Sequence, residues 1–165
     1  MSPIHTILHP TDFSKPSEFA FQLACSLSRD YGAELHIVHV MTPPIVAYGE
    51  GVLPVAPENL AEELRQKLSR LHDKDANVRV VHHLREGQPV DQILHLAKET
   101  RCDLIVMGTH GRTGLGRVLM GSVAEGVVRK APCPVLTIKN PLPEAKPDAE
   151  ASGKLAGKVP QAVTA

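Results

Sequence analysis

Charge of one sign is not in excess here: 18 Lys and Arg balance 18 Asp and Glu across 165 residues. That balance argues against a broad polyanion-binding face, and so against nucleic acid as a partner, while leaving room for a local basic site. Cysteine is scarce as well. Cys25, Cys102 and Cys133 are odd in number, widely spaced and without a C-x-x-C pair, which argues against a disulfide framework or zinc site and for a reducing compartment. No window reaches the roughly 18 to 20 apolar residues of a membrane span. The opening MSPIHTILHP lacks both a basic n-region and a long apolar h-region. These absences predict a cytoplasmic protein with no membrane partner, and the length suits one domain with its own core.

What is present is an alternation of apolar runs and helical periodicity. Residues 4–10 read as a first strand ending at Pro10, and Pro16 suits the start of a helix whose apolar residues Phe19, Ala20, Leu23, Ala24, Leu27 and Tyr31 face the core before Gly32 stops it. A second strand over 33–41 is apolar on both faces. Residues 42–57, rich in Pro and Gly, read as a long loop serving as lid, partner surface or insertion. A leucine ladder, Leu60, Leu64, Leu68 and Leu71, predicts a helix from about Pro57. A third strand over 78–85 and a helix over 89–100 follow, with Val90, Ile93, Leu94 and Ala97 inward. The fourth strand, 103–108, is short, apolar and central; a helix over 122–130 precedes a fifth strand, which runs from Val135 to Lys139 (residues 135–139) and suits a sheet edge because Pro132 and Pro134 approach it. Residues 1–140 thus form the domain, and 141–165 are expected to be a disordered tail. The order of elements predicts an α/β fold with a mostly parallel sheet.

Residues 106–122, VMGTHGRTGLGRVLMGS, carry the chemistry. Gly108, Gly111, Gly114, Gly116 and Gly121 let a backbone approach a ligand closely. Ser122 is expected to cap the following helix, whose N-terminus offers free N–H groups and a positive dipole end, and Arg112 and Arg117 add charge. The loop suits phosphate. Gly116, Gly121 and Ser122 imitate the frame of a Walker A loop, yet no lysine stands between the last two, which argues against vigorous NTPase chemistry. Leu119 occupies the third glycine position of a dinucleotide fingerprint, and no G-x-S-x-G elbow occurs. In open α/β sheets ligands bind beyond the strand carboxyl ends, where strand order reverses. Pro10, Thr11, Asp12, Val40, Met41 and Gly108 stand at such ends, and they form one crevice only if the first and fourth strands are neighbours.

The spacing Gly108, two residues, Gly111, nine residues, Gly121 and Ser122 resembles the G-x2-G-x9-G-[ST] pattern of the ATP-binding branch of the universal stress protein family. PTDFS after the first strand, HVM ending the second and the closing PCPVLTIK agree with it over residues 3–139. The resemblance implies a doubly wound, Rossmann-like five-stranded parallel sheet of order 3-2-1-4-5 with helices on both faces. It implies ATP as ligand, with Mg or Mn as companion ion and AMP or ADP as alternatives. Asp12 then meets the nucleotide, Pro10 and Thr11 shape the wall beside it, and the Val40 backbone reads the adenine edge. Met107 and Gly108 line the ribose and phosphate side; His110, Gly111 and Arg112 lie near the phosphates; Gly121, Ser122 and Val123 supply N–H groups and a hydroxyl. It also implies a homodimer through the fifth strand and an unidentified protein partner.

Blander readings stand beside these. Asp12 alternatively caps a turn or the first helix, and Arg112 is alternatively a solvated loop charge. His110 is expected near the ligand without acting as a catalytic base. His5, His9, His36, His39, His82 and His83 lack metal-ligand spacing, so neither a metal site nor a catalytic residue is expected. The leading expectation is a nucleotide-dependent stress sensor or regulator. The alternatives are a slow ATP hydrolase or nucleotidyl-transfer enzyme in the same crevice, and a nucleotide-independent dimeric scaffold.

Overall fold

The computed structural model of the chain describes residues 3–42, 45–48, 51–54, 59–72, 78–109 and 120–139. The expected tail lies outside these residues, as do His110, Gly111 and Arg112. The first strand, β1 (Thr6–Pro10), places Ile7, Leu8 and His9 wholly out of solvent. It pairs in parallel with β2 (Glu34–Met41) on one side and with β6 (Leu104–Gly108) on the other. β5 (Val80–Glu86) adds to β2, and β7 (Val135–Ile138) adds to β6. The sheet order is β5-β2-β1-β6-β7, all parallel. Counting only these five strands, it is 3-2-1-4-5, so the first and fourth strands are neighbours and strand order reverses between them.

Two apolar clusters cover the two faces. On one, Leu8 and Ile105 pack with Ile93 and Leu96 of α3 (Pro89–Glu99) and Ala124 and Val127 of α4 (Ser122–Lys130). On the other, Ile7, Leu35, Ile37 and Val106 pack with Ala20, Ala24 and Cys25 of α1 (Lys15–Tyr31) and Leu68 of α2 (Leu60–Ser69). Each fully buried Leu or Ile contributes roughly 1.5–3 kcal/mol. The glycine within α4 has a packing reason, because a Cβ at Gly126 would stand 2.8 Å from Val90 Cγ2 and hold α3 and α4 apart.

Three expectations change. The buried stripe of α1 is Ser17, Ala20, Ala24, Cys25 and Ser28, while Phe19 is 39% and Tyr31 55% exposed. Small side chains let the helix sit close on the sheet, so the stripe of least bulk turns inward. The leucine ladder delivers one fully buried residue, Leu68, within the described helix Leu60–Ser69; Pro57 lies outside the described residues. The long loop contains an antiparallel pair, β3 (Ile45–Tyr48) and β4 (Gly51–Pro54), in register Tyr48↔Gly51 through Ile45↔Pro54. In the sequence, two tetrapeptides separated only by Gly49 and Glu50 form a local hairpin signal that the surrounding prolines obscure.

Candidate functional site

A cavity of about 350 Å³ opens at the carboxyl ends of β1 and β6, where strand order reverses. Pro10, Thr11 and Asp12 form one wall, and Val40 at the end of β2 forms another. Met107 and Gly108 lie at the end of β6, and Gly121, Ser122 and Val123 bring the start of α4 to the rim. These nine residues of the sequence reading are gathered around one cavity; the other three, His110, Gly111 and Arg112, lie outside the described residues.

The turn after β1 is held by a dense set of bonds. Thr11 N donates to Val38 O at 2.8 Å, and His39 Nδ1 donates to Thr11 O at 2.7 Å. Thr11 Oγ1 accepts from Phe13 N at 3.1 Å and from Ser17 Oγ at 2.9 Å. Asp12 Oδ1 accepts from Ser14 N at 3.0 Å and Ser14 Oγ at 2.6 Å. Asp12 is thus both an Asx-turn residue and part of the cavity wall. Phe13, at φ 62°, adopts a left-handed conformation unusual for a bulky side chain. Its ring packs 4.4 Å from that of His39, with Lys67 Nζ 4.5 Å above it, contacts that offset a strain of order 1–3 kcal/mol.

The start of α4 is built differently from the sequence expectation. Gly121, not Ser122, is the N-cap, and no side chain caps the helix; Ser122 is its first residue. Gly121 N donates to Thr109 O at 2.8 Å, and Thr109 in turn donates from N and Oγ1 to Ile138 O at 2.9 and 3.3 Å. The chain is therefore pinned across β6 and β7 just before α4 begins. The first N–H groups of an α-helix have no intrahelical acceptor and carry the positive end of the dipole. Here they meet the cavity with a glycine where a competing side-chain oxygen would otherwise stand. α3 likewise starts at the cavity, through Pro89, after the uncapped Gln88.

His9 lies on the α1 face of β1, wholly buried, its Nδ1 donating to Val106 O at 2.9 Å. Burial lowers its pKa from 6.5 to about 4, against the opposing influence of the Val106 carbonyl and Asp12. It is neutral at physiological pH. His36 and His83 stack on the other face, with Nδ1 to Nε2 at 2.9 Å, and His82 Nε2 donates to Leu71 O at 2.7 Å. Among the described residues no group of three His, Cys, Asp or Glu side chains is placed to hold a metal ion, and no helix is long and apolar enough to cross a membrane.

Several cavity residues were missed in the sequence. Thr109 and His39 adjoin the expected Gly108 and Val40, and Pro89 is a first-turn proline at a carboxyl-edge helix start, so each carried a positional signal. Ile93 read only as core, and Ala124 was not singled out, so neither gave a signal.

Comparison with known proteins agrees with this geometry. Residues 3–139 match the model of the Universal stress protein family. Universal stress protein MJ0531 of Methanocaldococcus jannaschii is 37% identical over 142 residues, 84% of each chain. A solved universal stress protein in complex with cAMP superposes with a TM-score of 0.64 at 26% identity, over 84% of this chain and 98% of that one. The universal stress protein from Archaeoglobus fulgidus in complex with dAMP gives 0.61 at 25% identity, over 84% and 100%. The sheet order, the cavity at its switch point and the match over residues 3–139 lead to one conclusion: this chain belongs to the universal stress protein family.

Proposed function

We propose that the chain binds ATP in this cavity and acts as a homodimeric, nucleotide-dependent sensor or regulator of the stress response in the cytoplasm. The observation that carries the reading is the N-terminus of α4, with Gly121 as its cap and no side-chain cap bond, on a cavity at the switch point of the sheet. An anion there meets the first N–H groups of the helix, which lack intrahelical acceptors, and a favourable dipole. The adenine-nucleotide complexes of two structural neighbours support the same ligand class.

In this reading Val40 offers its backbone to the adenine edge, and Pro10, Thr11 and Asp12 form the wall beside the nucleoside. Met107 and Gly108 lie along the ribose and phosphates. Gly121, Ser122 and Val123 hold phosphate at the helix start, with His110, Gly111 and Arg112 assigned to the phosphates from their place in the glycine motif. The cavity volume is at the low end of small-molecule sites, roughly 300–1,000 Å³, which suits a nucleoside with its phosphates at the rim. Dimerisation is assigned to β7, an edge strand whose Leu136 is 37% exposed.

Calorimetry of the purified chain with ATP, ADP, AMP and cAMP, with and without magnesium, tests the ligand. Binding of ATP with at least about tenfold weakening in Gly121→Val is expected, because a branched side chain would crowd the helix start. Absence of heat with every nucleotide would overturn the reading. Analytical ultracentrifugation of Leu136→Glu tests the dimer separately, with a shift to monomer expected.

A further inference from the structure

The sequence separates Cys102 from Cys133, but the sheet brings them together. Cys102 stands two residues before β6 and Cys133 two before β7, and these strands are parallel neighbours in the register Ile105↔Val135. Ile105 N donates to Pro134 O at 3.0 Å, so the pairing extends toward both cysteines. Both cysteines lie just outside the paired residues, at the same end of two neighbouring strands that run about 4.8 Å apart. A disulfide bridges Cα atoms about 4.4–6.8 Å apart, and strand neighbours at this spacing fall within that span. Both side chains pack in the same cluster, Cys102 at 7% exposure and Cys133 half-buried at its margin.

Cys102 Sγ donates to Leu104 O at 3.1 Å. The nearness of the two thiols divides their roles. The Cys102 thiol beside it holds the Cys133 thiol below its ordinary range, against burial and the nearby Asp103 charge, while Cys133 and burial push Cys102 up. The more accessible thiol is therefore the readier thiolate and nucleophile, and the buried one stands behind it.

We propose that Cys102 and Cys133 are a redox-active dithiol that hydroperoxides oxidise to an intramolecular disulfide tying the start of β6 to the start of β7. The Cys133 thiolate attacks a peroxide oxygen, the O–O bond breaks, and hydroxide departs and is protonated to water; Cys133 is now a sulfenic acid. The Cys102 sulfur then attacks the Cys133 sulfur, the S–O bond breaks, and the departing hydroxide leaves as water with the Cys102 proton. Two thiols are oxidised by two electrons, and one hydrogen peroxide is reduced to two waters. The bond closes a loop of chain that includes Gly108 at the end of β6 and Gly121 and Ser122 at the start of α4, which line the cavity. Cys25, buried at 5% exposure in the cluster on the opposite face, is outside this pair and serves as an internal control.

Treatment of the reduced full-length chain with one equivalent of hydrogen peroxide, followed by alkylation and peptide mass mapping, tests the proposal. The expected product is lighter by two hydrogens, carries a Cys102–Cys133 linked peptide, keeps Cys25 alkylatable, and returns to starting mass with dithiothreitol. The Cys102→Ser variant is expected to accumulate a Cys133 sulfenic acid that dimedone traps. Recovery of Cys133 as an unmodified thiol, as a sulfinic acid or solely as an intermolecular disulfide would overturn the proposal. The same oxidation in urea gives the control for random pairing, and a distribution of linked peptides matching the native one would overturn it too.

Discussion

The starts of α1 and α4 lie at the same edge of the same sheet, yet they are finished in opposite ways. α1 is closed: Ser14 caps it by accepting from Ser17 N at 3.4 Å, Pro16 sits in its first turn, and Asp12 binds back onto Ser14. α4 is open: its cap is Gly121, with no side chain to accept from the helix. A capped end satisfies its own donors and serves stability, whereas an uncapped end on a cavity keeps those donors for something else. The contrast teaches that a helix start acts as a site only when its cap residue declines to fill it.

The largest blow to the closed end should come from acid. His9 lies beneath the first turn of α1, its Nε2 3.5 Å from Ser17 Oγ. Unfolded, it takes a proton near pH 6.5; folded, it resists until about pH 4. Its contribution is complete above the unfolded value and is lost as pH falls through that window, roughly 3 kcal/mol in all. Urea midpoints measured between about pH 7.5 and 4 should fall, and His9→Asn should flatten the profile. An unchanged slope in the variant would place the acid sensitivity elsewhere.

Closing the open end is the sharper test of the comparison. Gly121→Asp would cap α4 and set a carboxylate where phosphate is proposed to lie. Affinity for ATP should drop by more than about tenfold, or about 1.4 kcal/mol, while the thermal midpoint holds or rises slightly. A loss of stability would show that Gly121 serves packing and not the ligand. Ser14→Ala is the converse: it should cost about 1 kcal/mol of stability with ATP affinity nearly unchanged. The smallest effect is expected at the far end of α1, where the buried Ser28 Oγ has no hydrogen-bond partner among the described residues. Ser28→Ala should be neutral or stabilising by less than about 1 kcal/mol in chemical denaturation, because no bond is lost.

Much of this contrast was legible in advance. Pro16 and Gly32 bracket α1 as read, and Gly32 takes the left-handed φ of 65° that a helix stop favours. The assignment of Ser122 as the cap of α4 did not hold, because a serine and a glycine both suit the position and only the chain path pinned through Thr109 decides which one occupies it. The crevice residues followed from strand ends, whereas Ile93 and Ala124 were invisible as cavity residues because an apolar side chain looks the same in a core as in a cavity wall.

By itself the sequence determined what depends on near neighbours: the alternation of strand and helix, the glycine-rich segment between the fourth strand of the sheet and the last helix, and the residues at each strand end. Tertiary structure alone decided what depends on distance through space. It set β1 beside β6, which turned separate strand ends into one cavity. It turned the small residues of α1 inward in place of Phe19 and Tyr31, since approach to a sheet favours low bulk over hydrophobicity. It also brought Cys102 against Cys133, because parallel strands align their starts whatever the length of chain between them.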